Sequence, residues 1–389
     1  PEVQAYINTH LYDDPTKLLL QGSAWEKDFH RAVVEQIVAK RKAEKKLPKW
    51  FDTPNIIYPT PLAMEQCSSE ITAQYKAQMI QGETLIDLTG GFGVDTYFLA
   101  QNFKKAFHIE QDRHLSLVAQ HNFKSLAAHI TCIHTTAENH LEIMPRVDWI
   151  YLDPARRSES QQRVVALDQY SPNVLLIKDL LLKKAKNIML KVSPMMDLKQ
   201  LIAQLPELYE IWVLTVKNEV KEVVALLATT PVAKPLISCV HLGEEQAKPF
   251  AFTFTEEQTA EVVYGALQKY LYEPHAGLMK AGAFKTLAAR LGLTKLHQHT
   301  HLYTSEDFLP DFPGRIFEVE KVLPVRKKVL QQSLQELKAH LTIRNFPMSV
   351  ADLRKKLNLK TGGDTYAFAT TDTLGKHLVL TRKAAKTAK

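Results

Sequence analysis

The segment Leu85-Ile86-Asp87-Leu88-Thr89-Gly90-Gly91-Phe92-Gly93-Val94-Asp95 decides the fold. It reads as an apolar strand, Thr84 to Leu88, running into a glycine-rich turn and then into a helix from Val94 to Ala100. Glycines let a backbone approach a ligand closely, and the carboxyl end of such a strand faces the crevice where open α/β sheets bind ligands. Twenty residues past Gly90, the run Phe107-His108-Ile109 ends in Glu110, a carboxylate suited to accept hydrogen bonds from two ribose hydroxyls. The pattern calls for a nucleotide-type cofactor.

A dinucleotide competes for that role, because Gly90, Gly91 and Gly93 echo a GxGxxG turn. The match fails where Val94 or Thr96 stands in place of the third glycine, and Asp87 and Asp95 would set carboxylates beside a dianionic pyrophosphate. Carboxylates suit a cation instead. S-adenosylmethionine carries an ammonium and a sulfonium, and fits on charge.

Outward from this turn, short apolar strands alternate with helical stretches: Thr84 to Leu88, Ala106 to Ile109, Ile130 to His134, Asp148 to Leu152, Ile188 to Val192 and Ile211 to Val216. Such alternation predicts an α/β fold with a doubly wound, mostly parallel sheet. Leu236 to His241 and Phe250 to Thr255 supply an antiparallel strand at its end, closing the core near residue 255 as a seven-stranded sheet.

Upstream, Trp25, Phe29, Val33 and Ile37 recur at helical spacing, so residues 1–60 read as a helical cap and a proline-punctuated linker, followed by a helix from Leu62 to Ile80. The core domain then spans 61–255. Residues 256–320 form a small α+β, ferredoxin-like domain with a helix from Glu256 to Tyr272. Residues 321–389 form an αβαββ module: a helix from Pro324 to His340, a strand Leu341 to Asn345, a helix Val350 to Leu357 capped by Ser349, a Gly362-Gly363 turn, and strands Thr365 to Thr370 and His377 to Thr381. Asn218-Glu219 and Lys221-Glu222 follow the carboxyl end of the sixth strand and either line the cleft or begin a helix.

A length of 389 residues suits two or three domains. The 45% hydrophobic and 23% charged composition excludes fibrous and disordered classes. Cys67, Cys132 and Cys239 stand far apart without a CxxC, which excludes a disulfide framework or zinc ribbon and fits a reducing compartment. No apolar run reaches the roughly 18 residues that span a bilayer, and the first residues lack a signal-peptide pattern, so a cytoplasmic location is expected. The net charge of +7 is uneven. Residues 321–389 hold 15 Lys and Arg against 4 Asp and Glu, a net +11, leaving the first 320 residues at −4. A basic block of this kind points to phosphate-rich partners. Arg354, Lys355 and Lys356 are expected on the polar face of their helix, with Val350, Leu353 and Leu357 packed inward.

The turn DLTGGFGVD, the strand-end Glu110 and the fourth-strand motif Asp153-Pro154-Ala155-Arg156 resemble class I S-adenosylmethionine-dependent methyltransferases, whose sheet is Rossmann-like. The flanks MEQCSSEITAQYKA, TIRNFPMSVADLRKKL and GGDTYAFATT extend the resemblance over the whole chain, to bacterial methyltransferases with a THUMP-like C-terminal domain. The resemblance implies that Asp87, Gly90, Gly91 and Gly93 surround the methionine moiety, with Thr89, Phe92 and Asp95 of the same turn among the cofactor-binding residues. It implies that Glu110 binds the ribose with Gln111 beside it, and puts Thr136-Ala137 where an acidic residue usually meets the adenine.

Asp153-Pro154-Ala155-Arg156 matches the tetrad that, in amino-group methyltransferases of nucleic acids, is Asp or Asn, Pro, Pro and an aromatic. The carboxylate and the proline carbonyl there accept hydrogen bonds from an exocyclic NH2 as its nitrogen attacks the methyl group. Asp153, Pro154 and Arg156 are accordingly the catalytic candidates. Arg156 replaces the aromatic, leaving base stacking to its guanidinium plane or to Tyr151. Asp-Pro-x-Arg is also reminiscent of uracil-C5 methyltransferases, but the segment Lys191-Val192-Ser193-Pro194 carries no cysteine for covalent attack. His297, His299 and His301 alternate, yet lack companion Cys or Asp ligands, and no metal is assigned. Ser68 and Ser69 either cap a helix or touch the cofactor.

The implied function is methyl transfer from S-adenosylmethionine to a base nitrogen of RNA, tRNA or ribosomal RNA, without a covalent intermediate. A non-catalytic RNA-binding protein of the same fold, or a methyltransferase for a small molecule or protein, is the alternative.

Overall fold

The computed structural model describes residues 2–21, 24–156, 167–230, 232–243, 248–334 and 336–384. All six strands of the alternation form: β1 (Gly82–Asp87), β2 (Phe103–Glu110), β3 (Ile130–His134), β4 (Val147–Leu152), β5 (Ala185–Val192) and β6 (Leu208–Val216). The first five pair in parallel in the order β3-β2-β1-β4-β5. Asp87, at the end of β1, is in register with His108 on one side and Tyr151 on the other.

The sheet holds nine strands among the described residues, where seven were expected. Asn218-Glu219 and Lys221-Glu222, for which a helix start was one of two readings, lead instead into a strand, β7 (Glu219–Ala228), and β8 (Leu236–Leu242) and β9 (Phe250–Phe252) follow. The full order is β9-β8-β6-β7-β5-β4-β1-β2-β3. Lys217 and Asn218 carry φ of 51° and 60°, the two positive values of a tight hairpin turn, so the chain doubles back from β6 into β7. β7 then runs antiparallel to β5. The charged start of β7 hid the run Val223 to Leu227, whose five residues are all buried.

The chain divides into two compact units, Pro1–Ile211 with Glu222–Pro235 and Trp212–Lys221 with Leu236–Lys389. In the first unit, helices α1 (Glu2–Thr9), α2 (Pro15–Leu20), α3 (Lys27–Lys46) and α4 (Pro48–Asp52) precede the sheet, with Ile7, Leu18, Val33, Val34 and Ile37 in a common apolar core. The helix expected from Leu62 to Ile80 is broken into α5 (Pro61–Gln66) and α6 (Glu70–Gln78). Cys67 and Ser69 take extended backbone angles between them. The break delivers Ser68 to the carboxyl edge of the sheet. Helices α7 (Val94–Ala100), α8 (Arg113–Ser125), α9 (Ala137–Ile143), α10 (Val174–Lys184) and α11 (Leu198–Gln204) complete the crossovers.

The second unit carries a seven-stranded sheet: β10 (Tyr270–Pro274), β11 (Thr294–His297), β12 (Thr300–Ser305), β13 (Gly314–Leu323), β14 (His340–Arg344), β15 (Thr365–Asp372) and β16 (Gly375–Lys383), in the order β11-β12-β10-β13-β16-β15-β14. The helix expected from Glu256 to Tyr272 is shorter, α12 (Phe254–Thr259), and its last three residues belong to β10, where Leu271 and Tyr272 pack in the core. Helices α13 (Ala276–Ala281) and α14 (Lys285–Leu291) follow β10, and the long helix expected after Pro324 is the short α15 (Lys327–Ser333). Ser349 caps α16 (Val350–Leu357), accepting from the Asp352 N–H at 3.1 Å. Leu353 and Leu357 point inward as expected, but Val350 stays 41% exposed at the first turn.

Candidate active site

Elementary electrostatics explains what gathers at the carboxyl ends of the parallel strands β5, β4 and β1 and the start of β7. β7, β5, β4 and β1 are consecutive neighbours, and bring Glu222, Lys191, Asp153 and Asp87 to that edge. The α6 and α7 helices add Lys76 and Asp95, and the α5–α6 break adds Ser68. Lys76 is wholly buried, and its Nζ lies 2.7 Å from Asp95 Oδ1, 2.6 Å from Glu222 Oε2 and 3.1 Å from Ser68 Oγ. Lys191 Nζ lies 2.5 Å from Asp153 Oδ2, 3.0 Å from Ser68 Oγ and 3.9 Å from Asp95 Oδ2. Asp95 Oδ2 also accepts from Ser68 Oγ and from the Tyr151 hydroxyl, each at 2.6 Å. Thr72 donates to Glu222 at 2.6 Å. Three carboxylates thus stand against two ammoniums, leaving the cluster net negative.

The protonation states follow from these contacts. Burial works to raise the Asp95 carboxyl, but the ammoniums of Lys76 and Lys191 outweigh it and hold the group down at about 2. Burial likewise opposes the charge on Lys191, yet Asp153, Glu222 and Asp95 raise its pKa above the ordinary lysine range. Loss of hydration pushes Asp153 up, with Lys191 opposing. Asp87 is buried, which pushes it up to about 7, moderated by hydrogen bonds from Thr96 and from the Thr89 backbone.

The glycine-rich turn is held from behind. Asp87 Oδ1 accepts from the Thr89 N–H at 3.0 Å and Oδ2 from Thr96 Oγ1 at 2.5 Å. Thr89 Oγ1 in turn accepts the backbone N–H of Asp153 at 2.6 Å, tying the turn to the end of β4. Glu110 Oε2 accepts the Gly91 N–H at 2.8 Å, and its Oε1 accepts the Asp112 N–H at 2.7 Å. A Cβ on Gly90 would stand 2.3 Å from His108 Nε2, and one on Gly93, at φ +84°, 2.5 Å from the Phe123 ring. Over Gly91 a Cβ would meet nothing closer than Thr89 O at 3.8 Å. The turn is therefore packed on its inner side and bare at Gly91, as a backbone cradle for a ligand requires.

The other expected site residues fall as follows. Asp87, expected to face cofactor cations, accepts from Thr89 and Thr96, and Asp95 meets Ser68, Tyr151 and Lys76. Phe92 turns inward against Trp50 and Tyr58. Gln111 is exposed beside Glu110, with its carbonyl 3.1 Å from His134 Nε2. Thr136 caps α9 by accepting from the Asn139 N–H at 3.2 Å, and Ala137 is buried. Pro154 is buried and follows Asp153 directly; the backbone of Ala155–Arg156 pairs with Tyr170–Ser171, while the Arg156 side chain lies outside the described part of the structure. Tyr151 is 1% exposed with its hydroxyl on Asp95, so it cannot stack on a base.

Ser193 Oγ accepts the Met195 N–H at 3.2 Å. Cys67, remote from that segment in sequence, stands close enough for Lys191 and Asp95 to act on its thiol, but burial raises the thiol above its ordinary value and it donates to Met64 O. It is not a ready thiolate. His297, His299 and His301 do not share one face: His299 lies in the hairpin between β11 and β12, and His301 stacks on Phe284 at 3.5 Å. Among the described residues no group of three or more His, Cys, Asp or Glu is placed to hold a metal.

Sequence reasoning missed Lys76 and Lys191 altogether and gave Ser68 and Glu222 only open roles. One signal was present. Lys191 interrupts the apolar run Ile188-Met189-Leu190-Lys191-Val192 of a central strand, where an unpaired charge is not tolerated.

Comparison with known proteins adds the family. Residues 270–313 match a ferredoxin-like domain, and residues 314–383 a THUMP domain-like family. No curated protein matches the chain. Among solved structures, a candidate methyltransferase from Porphyromonas gingivalis W83 is 34% identical, with a TM-score of 0.89 over 99% of this chain and 98% of that one. More distant likenesses include the T. thermophilus 16S rRNA N2 G1207 methyltransferase, at 14% identity and TM-score 0.33 over 46% of this chain and 45% of that chain. M. capricolum TrmK is at 14% and 0.32 over 46% and 73%. At 34% identity along its whole length, this chain belongs to the methyltransferase family represented by the Porphyromonas gingivalis protein.

Proposed function

We propose that the chain transfers the methyl group of S-adenosylmethionine to a base nitrogen of RNA, in tRNA or ribosomal RNA, with no covalent enzyme–base intermediate. One observation carries the reading: the Asp153 N–H donates to Thr89 Oγ1 at 2.6 Å, so the acceptor-binding motif is fastened to the cofactor turn. A methyl donor and an acceptor held by two such linked elements share one frame, which is what in-line transfer needs.

The residues present fit the cofactor. The bare backbone at Gly91 and the strand-end Glu110 would hold it, and a cluster of three carboxylates against two ammoniums favours a cation beside it. When bound, S-adenosylmethionine supplies an electrophilic methyl on a sulfonium. The chain's own part is at Asp153, whose side chain is 36% exposed and whose Oδ1 has no hydrogen-bond partner among the described residues. That oxygen and the Pro154 carbonyl accept from an amino group and raise the electron density on its nitrogen.

RNA as the substrate is supported by the net +11 of residues 321–389 and by the THUMP-like match to residues 314–383. Mass-spectrometric comparison of RNA nucleosides from cells with and without the gene tests this: one methylated nucleoside should vanish with the gene and return with it. An unchanged nucleoside profile in every RNA fraction would overturn it.

A further inference from the structure

We propose that Lys191 is a positioning residue of the methyl transfer: anchored by Ser68, its ammonium fixes Oδ2 of Asp153 and keeps that group a carboxylate, so that Oδ1 is presented to the acceptor nitrogen. This rests on the function proposed above. Neither the family comparison nor the sequence motifs assign the lysine a role.

The geometry is specific. Lys191 Nζ reaches Asp153 Oδ2 at 2.5 Å and Ser68 Oγ at 3.0 Å, while Asp95 Oδ2, at 3.9 Å, is saturated by Ser68 and Tyr151. Ser68 is buried and fixed from two further sides, by its bond to Asp95 and by Lys76 at 3.1 Å. The ammonium therefore has one place to sit, and it orients the single carboxylate of the cluster that remains substantially exposed.

The charges facing Asp153 explain why a cation is needed there. Asp87 on β1 and Asp95 on α7 are like charges that oppose its ionisation, as does its partial loss of hydration, and Lys76 on α6 is shared between Asp95 and Glu222. Glu222 on β7, the Cys67 thiol and Lys46 on α3 complete the surroundings of the lysine, and the Tyr151 hydroxyl on β4 faces Asp153. Remove Lys191, and Asp153 loses its close cationic partner while its like-charged neighbours remain. A neutral acid at this place would donate to the acceptor nitrogen's lone pair instead of accepting from its N–H, and so block attack.

The test uses the full chain as K191M, with K191R as a charge-preserving second variant and K191M/D153N as the assignment control. Infrared spectra across pH read ionisation directly. The part of the protonated-carboxyl stretch that belongs to Asp153, read as K191M minus K191M/D153N and as wild type minus D153N so that buried Asp87 cancels, should persist to higher pH in K191M than in wild type; the same Asp153 ionisation profile in both would overturn the proposal. Methyl transfer to RNA from a strain lacking the gene gives the second readout. The acid limb of kcat/KM should move to higher pH in K191M, with kcat lowered about a hundredfold, as for a misplaced reacting group. S-adenosylmethionine affinity should stay within about threefold, and K191R should recover part of the rate with the wild-type limb. A uniform loss of activity at all pH values, tracking a lower melting temperature, would make Lys191 merely structural. If the wild-type chain transfers no methyl to any RNA while the infrared result holds, the functional reading fails and the ion-pair geometry alone stands, which overturns the catalytic part of the proposal.

Discussion

Lys76 on α6 and Glu222 on β7 meet at 2.6 Å across 146 residues of sequence, with the lysine wholly buried. Their contact, with Asp95 at 2.7 Å on the same ammonium, fixes the helix before the glycine-rich turn and the hairpin strand after it to one point of the sheet edge. A buried lysine so placed is a commitment. Its desolvation is tolerable only because two carboxylates and a hydroxyl surround it.

K76M should therefore destabilise the chain by about 3–5 kcal/mol, the usual consequence of stranding a buried charge by removing its partner. Replacing Glu222 as well, in K76M/E222M, should cost less than K76M alone, because the stranded carboxylate is gone. Urea unfolding of the two variants checks both statements; equal destabilisation would mean the pair does not act as a unit.

Gly90 offers a sharper test of the cofactor turn. A Cβ there would collide with His108 Nε2 at 2.3 Å, and that same nitrogen lies 3.2 Å from Gly91 O. G90A should weaken S-adenosylmethionine binding about ten- to hundredfold, the equivalent of the 1–3 kcal/mol that overpacking costs. G90A/H108A should regain part of it. Calorimetric titration reads both, and undiminished affinity in G90A would move the cofactor away from this turn.

Asp87 makes stability depend on pH in a direction that can be worked out. Burial pushes its folded-state pKa up to about 7, against about 3.9 unfolded, so the folded state binds the proton more tightly over that window. Stability due to this group is highest below about pH 4, falls as pH rises to about 7, and is flat above. D87N mimics the neutral acid and removes the titration. The unfolding free energy of wild type minus that of D87N should fall by up to about 4 kcal/mol between those limits, since each tenfold change in proton concentration there is worth about 1.36 kcal/mol. A difference that does not vary with pH would show that Asp87 does not titrate there.

The basic end of the chain should make RNA binding salt-dependent, with a log–log slope near −0.7 per single-strand phosphate contact. Lys355 and Lys356 are exposed on α16, but Arg354 is half-buried with its Nη1 enclosed, so the expected three-residue face reduces to the two lysines. K355Q/K356Q should flatten the slope by up to about 1.4; an unchanged slope removes this face from the RNA site.

The fold was legible where one period ran undisturbed. The strands from Thr84 to Val216 alternate with helices cleanly, and the capping Ser349 announced α16. β7 was not legible because its first residues are charged and its hairpin is closed by Lys217-Asn218 rather than by a glycine. Tyr270 to Tyr272 read as the end of a helix, and packing in the second sheet overrides that pattern. At the candidate site, the turn of Gly90, Gly91 and Gly93 and the strand-end places of Glu110 and Asp153 could be read because they belong to a spaced motif. Lys76, Ser68 and Glu222 could not. Ser68 and Lys76 stand eight residues apart but Glu222 lies 146 residues beyond Lys76, and their meaning lies in contacts between 2.6 and 3.1 Å that only the folded chain creates.

The most direct measurement is transfer of isotope-labelled methyl from S-adenosylmethionine to RNA isolated from a strain lacking the gene, by wild type and by D153A, with cofactor affinity measured on the same samples. Wild type should label one RNA fraction. D153A should bind the cofactor nearly as well but label at least about a hundredfold more slowly, as expected for a group acting mainly in the transition state. Equal labelling by wild type and D153A, or no labelling of any RNA by wild type, would contradict the account.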